Sequence, residues 1–145
     1  LIKNLFIYSI NKKINRKEVH GLVKSLKTDL NFKIESLSIN FIDSEKIKRI
    51  NKEYLQHDFS TDVITFNYSC SKNEFDGEIF ISIEDAAYFA NKYETTINSE
   101  LNRLVIHGIL HLKGFDDLNR KNKMKMKKTE NNLLNKYNFS LLRQE

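Results

Sequence analysis

The chain has 145 residues, 24 of them lysine or arginine, with a net charge of +5, a single cysteine, four glycines and no proline. That length suffices for one domain, residues 1–145, whose core needs neither a disulfide nor a structural metal, so any bound metal is free to serve function. Cys70 has no internal disulfide partner, no apolar run approaches the roughly 20 residues of a membrane span, and Leu1-Ile2 is broken at once by Lys3 and Asn4, unlike a secretion signal; the expectation is a cytoplasmic protein with neither membrane nor disulfide partner.

In chain order, residues 2–9 read as a strand and 16–30 as an amphipathic helix with Val19, Leu22, Val23, Leu26 and Leu30 on one face. Leu37, Ile39 and Phe41 alternate as in a strand, and Ser44 opens a helix carrying Ile47, Ile50 and Tyr54. Residues 63–68 and 78–83 are strands separated by a polar turn over 69–77. A short helix over 84–94 carries Ala86, Ala87, Phe89 and Ala90. A longer one, capped by Ser99, runs to Lys113 and buries Leu101, Leu104, Val105 and Leu112. The last helix, 119–137, carries Met126, Leu133 and Tyr137. The sum is α+β: about four strands in one sheet packed with about five helices.

The helix ending at Lys113 carries the chemistry. Residues four apart on a helix differ by about 40° around its axis and about 6 Å along it, so His107 and His111 leave one face and can share an ion. A third ligand six residues further on would lie about 240° around the helix, so the helix must end first. Gly114 ends it, and the turn Gly114-Phe115-Asp116 can fold Asp117 back toward the histidines. Two imidazoles and a carboxylate suit zinc, and three protein ligands leave the fourth tetrahedral position to water, as in catalytic sites. The same donors suit non-haem iron, which stands as the alternative metal. No side chain is singled out as the reacting group beyond that water; Asp116 is expected to orient a water or a histidine, outside the metal's own ligands. A bare histidine pair beside Leu104, Ile109 and Leu112 would pass for ordinary half-buried side chains; the glycine and the carboxylate turn the preference to metal. Helical zinc proteases place a glutamate directly after the first histidine, and here that place is Gly108, which disfavours peptide hydrolysis.

At these residues the chain resembles the YbeY family of bacterial metal-dependent endoribonucleases, whose pattern is His-Gly-x-Leu-His-Leu-x-Gly-Tyr-Asp-His. Phe115 stands for the tyrosine and Asp117 for the last histidine. Two further blocks, Thr61-Asp62-Val63-Ile64-Thr65-Phe66 and Gly77-Glu78-Ile79-Phe80-Ile81-Ser82, are similar to the family in order and spacing. The resemblance implies a mixed sheet, a zincin-like metal helix, and a nuclease specific for single-stranded RNA. It also implies work in rRNA maturation, at the 3′ end of the small-subunit rRNA, and in ribosome quality control, with RNA or the ribosome as partner. Attack could come from a metal-activated water or from the neighbouring 2′-hydroxyl. In Asn51-Lys52-Glu53-Tyr54-Leu55 the chain has leucine where the family has an arginine that suits a phosphate; Lys52 and His57 are the substitutes at hand. The run Arg120, Lys121, Lys123, Lys125, Lys127 and Lys128 is either an RNA-facing or a solvated helix face. The competing functions are a metalloprotease-like hydrolase and a non-catalytic ribosome assembly factor with a structural metal.

Overall fold

In the computed structural model, which describes residues 1–143, the alternating and amphipathic stretches become β1 (Leu5–Ser9), α1 (Arg16–Leu30), β2 (Lys33–Ile42), α2 (Ser44–Leu55), β3 (Val63–Asn67), β4 (Glu74–Ser82), α3 (Ile83–Lys92), α4 (Ile97–Leu112) and α5 (Arg120–Lys136). The four strands form one sheet in the order β1-β2-β4-β3. β1, β2 and β4 are mutually parallel, which their long crossovers permit, while β3 and β4 are antiparallel across a short connection. The sheet is therefore mixed, as the resemblance implied.

One face of the sheet presents Leu5, Ile7, Leu37, Ile39, Phe41, Phe75, Ile79 and Ile81 to a core completed by α1 and α4. A smaller cluster on the other side joins Ile42 and Ile64 to Ile47 of α2. α4 is the most deeply embedded helix, with Leu101, Val105, Ile106, Ile109 and Leu110 wholly buried. Each such side chain contributes roughly 1.5–3 kcal/mol relative to exposure, so packing holds this helix whatever its histidines do. Gly108 lets it lie close to the sheet: a Cβ there would sit 2.8 Å from Cδ1 of Ile79 on β4.

Several boundaries differ from expectation. Asn4 has φ of 65°, a turn conformation, so β1 starts at Leu5 instead of residue 2. β4 begins at Glu74, inside the expected polar turn, because Lys33 to Ile42 of β2 pair with Glu74 to Ser82 and Phe75 and Gly77 alternate into the core. Asp43 caps α2 in place of Ser44, accepting from the Lys46 N–H at 2.8 Å. Thr96 caps α4 in place of Ser99, whose own N–H it accepts. Cys70 is exposed and free, and no described helix is long and apolar enough to cross a membrane.

Candidate metal centre

The imidazoles of His107 and His111 converge, with their Nε2 atoms 3.1 Å apart and their rings nearly perpendicular. Two nitrogens about 2.0–2.1 Å from a tetrahedral zinc would lie about 3.3 Å apart, so the spacing fits a shared ion. The other nitrogen of each ring is engaged. Nδ1 of His107 is 2.8 Å from Oε1 of Glu130, and Nδ1 of His111 is 3.2 Å from the carbonyl oxygen of Phe115. A carbonyl only accepts and a carboxylate accepts, so both Nδ1 atoms carry the hydrogen, an assignment made from the partners. Both Nε2 lone pairs then face each other, an arrangement that calls for a cation between them. A proton on one ring answers that call, and so does a metal ion.

The local sequence explains both orientations. At the end of α4 the Phe115 N–H donates to the Leu110 carbonyl at 2.9 Å and the Gly114 N–H to the His111 carbonyl at 3.0 Å, the paired bonds of a left-handed helix stop. Gly114 makes this possible with φ of 103°. The same turn aims the Phe115 carbonyl at His111, so the motif that ends the helix also fixes a ring. His107 depends on a side chain from another helix. Glu130 of α5 is 7 % exposed, and its second oxygen accepts from the Arg103 guanidinium at 3.1 Å.

Electrostatics separate the two rings. Burial alone would depress the His107 pKa, but the hydrogen bond and charge of Glu130, with Asp62 and Asp117, outweigh it and hold the value above the ordinary histidine range. Burial and the neighbouring charge of His107 lower the His111 pKa, favouring the neutral form that binds metals.

Asp117 lies exposed on the irregular segment between α4 and α5 and lines the same cleft, and its charge reaches both rings. Among the described residues no three His, Cys, Asp or Glu side chains gather into a metal cage, so the two imidazoles are preset and the carboxylate stands apart. Asp116 turns away, accepting from the Leu118 N–H at 3.1 Å and the Asn122 amide at 3.0 Å, and lines a separate hollow with Lys72 and Lys125.

The cleft over the pair, about 610 Å³, is floored by β3 and walled by Leu55 at the end of α2 and by His57 and Phe59 from the segment after it. His57 stacks on Phe59, with centroids 5.3 Å apart, and lines the cleft, whereas Lys52 is not among its lining residues. Leu55 lines it too, at the position where the resemblance led to an expected arginine. Asn51, 2 % exposed, ties this wall down by donating to the Phe59 carbonyl at 3.0 Å. Asp62 at the foot of β3 also faces the cleft, and burial pushes its carboxyl up, offset in part by backbone N–H groups and His107.

Sequence reasoning did not single out Glu130 or Arg103. The available signal was phase: Glu130 falls between Met126 and Leu133 on the buried stripe of α5, where a carboxylate needs a partner.

The chain matches the family model described as Endoribonuclease YbeY over residues 4–138. It is 39% identical over 121 residues to Endoribonuclease YbeY of Parabacteroides distasonis, an alignment covering 83% of this chain and 84% of that protein. It is 38% identical over 127 residues to the protein of the same name from Chlorobium limicola, covering 84% and 88% respectively. A solution structure from Thermotoga maritima has the same fold, with a TM-score of 0.64 at 24% identity, over 90% of this chain and 86% of that one. With the family pattern carried on α4 and the turn after it, and with matches spanning most of the chain, the protein belongs to the YbeY family of endoribonucleases.

Proposed function

We propose that the chain is a single-strand-specific endoribonuclease acting in the cytoplasm in rRNA maturation, with one zinc ion held by His107, His111 and Asp117. The observation that carries this reading is the facing pair of Nε2 atoms, each ring having its Nδ1 hydrogen committed elsewhere. When bound, the metal supplies a Lewis acid for a phosphoryl oxygen and lowers the pKa of water.

The chain's own groups do the rest. Glu130 and the Phe115 carbonyl keep the rings aimed, so no reorientation is needed when the ion binds. Asp117 completes the set from the loop, and a carboxylate there adds negative charge that a third imidazole would not. The stacked His57 and Phe59 offer a surface against which a base can lie, and Leu55 beside them gives contact area without a phosphate donor. Asp62, with its raised pKa, is the carboxyl in the cleft suited to exchange a proton with the attacking or leaving oxygen. Gly108 faces Ile79, leaving the position after the first histidine without the base a protease needs.

Elemental analysis of the purified chain alongside cleavage of single-stranded RNA, before and after chelation, tests this directly. We expect one zinc per chain, cleavage abolished by chelator, and metal lost in His111→Ala but kept in Asp116→Asn. A cyclic phosphate on the product end would assign attack to the 2′-hydroxyl. Metal without turnover would favour the assembly-factor reading, and chelator-sensitive peptide cleavage would favour a protease.

A further inference from the structure

An endonuclease cuts within a strand, so its substrate must leave the reacting site on both sides. The cleft floored by β3 accounts for one exit. His107 and Asp117 also line a second hollow, of about 530 Å³, between α4, α5 and the turn joining α3 to α4. The two hollows therefore meet at His107 and Asp117.

The charges in this second cleft fall into two groups. Glu100 and Glu130 are 6 % and 7 % exposed. Arg103 donates to Glu130 at 3.1 Å and lies 3.8 Å from Glu100, while the other Glu130 oxygen holds His107. These acids are occupied and withdrawn. Lys123 and Lys127, four residues apart and so on one face of α5, are exposed and pair with no carboxylate among the described residues. Apart from Asp117, the exposed charge here is positive. Tyr93, at the end of α3, stands on the same cleft with 64 % of its surface exposed. Phe89 backs its ring, nearly parallel at 9° with centroids 6.0 Å apart. A basic wall beside an exposed, supported aromatic ring is the combination that tracks single-stranded nucleic acid, the lysines meeting phosphates and the ring a base.

We propose that the second cleft carries the RNA strand away from the histidine pair, with Lys123 and Lys127 contacting its phosphates and Tyr93 stacking a base. The proposal rests on the endoribonuclease reading and deepens it. It also divides the basic run of α5: Lys123 and Lys127 serve the substrate, whereas Lys121 and Lys128 line neither cleft.

The test is fluorescence anisotropy of a short labelled single-stranded RNA with the full chain across a range of salt, with gels of the same samples reporting cleavage. Lys123→Ala with Lys127→Ala should weaken binding and make the salt slope shallower by about 1.4, two single-strand phosphate contacts at about 0.7 each. Lys121→Ala with Lys128→Ala, which removes the same charge from the same helix, should change the slope much less. Tyr93→Ala should weaken binding roughly fivefold or more, and Tyr93→Phe should restore it. If the wild type cleaves RNA while both lysine pairs behave alike and Tyr93→Ala binds normally, the second cleft is wrong and the nuclease reading stands. If the wild type neither binds nor cleaves RNA, both fall.

Discussion

His107 and His111 sit one turn apart on the same helix, yet they are held in different ways. His111 is aimed by backbone, the carbonyl of Phe115 in the turn that ends its own helix. His107 is aimed by a side chain, that of Glu130 on α5, 23 residues further along the chain. Backbone support depends on conformation, and therefore on Gly114; side-chain support depends on one carboxylate and on the docking of α5. The two rings are thus open to different mutations, and their pKa values move in opposite directions: Glu130 outweighs burial to raise that of His107, while burial and the charge of His107 lower that of His111.

Removing the side-chain support should have the larger effect on the metal. Glu130→Ala takes the acceptor from His107 and leaves Arg103 without its shortest carboxylate contact. Zinc affinity, read by chelator competition, should fall about 10- to 100-fold. Glu130→Gln, which keeps an acceptor oxygen, should recover part of it; unchanged affinity in the alanine variant would mean the ring holds its orientation without help. Disturbing the backbone support should act mainly on stability. Gly114→Ala puts a side chain at φ of 103°, a strain of about 1–3 kcal/mol, and its Cβ would also meet the Lys72 side chain at 2.9 Å. Denaturant unfolding should show that loss, with a smaller drop in zinc affinity as the Phe115 carbonyl shifts. A wild-type midpoint in the variant would show that the turn carries no strain.

The third and smallest effect is the pH dependence of the metal-free chain. The folded pKa of His107 lies above the unfolded value of about 6.5, so its proton stabilises the fold fully below that pH, and the contribution is lost as pH rises through the folded value. The folded pKa of His111 is lowered, so its effect has the opposite sign: stability is lost as pH falls. Glu130→Gln removes the partner that raises His107. The melting-temperature gap between wild type and variant, measured in chelator, should therefore be widest in mild acid and narrow toward alkaline pH. A gap that widens with pH would reverse the assignment.

The same contrast marks what the sequence made legible. The phase of His107 and His111, the stop at Gly114 and the burial of Leu101, Leu104, Val105 and Leu112 are local consequences of helix geometry, and each reappears in the fold. Glu130 was hidden among lysines because its role depends on how α5 meets α4, which no local pattern encodes; only its phase between Met126 and Leu133 hinted at burial. The first residues of β4 were missed for a like reason, since Glu74 and Asp76 look polar and become strand through pairing with β2. Asp117 falls between these cases. The glycine turn brings it to the cleft as its position suggested, but an exposed loop carboxylate has no packing to set it beside the imidazoles.

In the proposed centre both histidines present Nε2 to one metal while their Nδ1 hydrogens are held by Glu130 and Phe115. Long-range proton–nitrogen correlation spectra of the imidazole rings, recorded as the chelated chain is titrated with zinc, test it most directly. His107 and His111 should both shift at Nε2 and retain hydrogen at Nδ1, reaching an end point at one zinc per chain. A ring that stays protonated on Nε2, or a pair that zinc leaves unchanged, would contradict it.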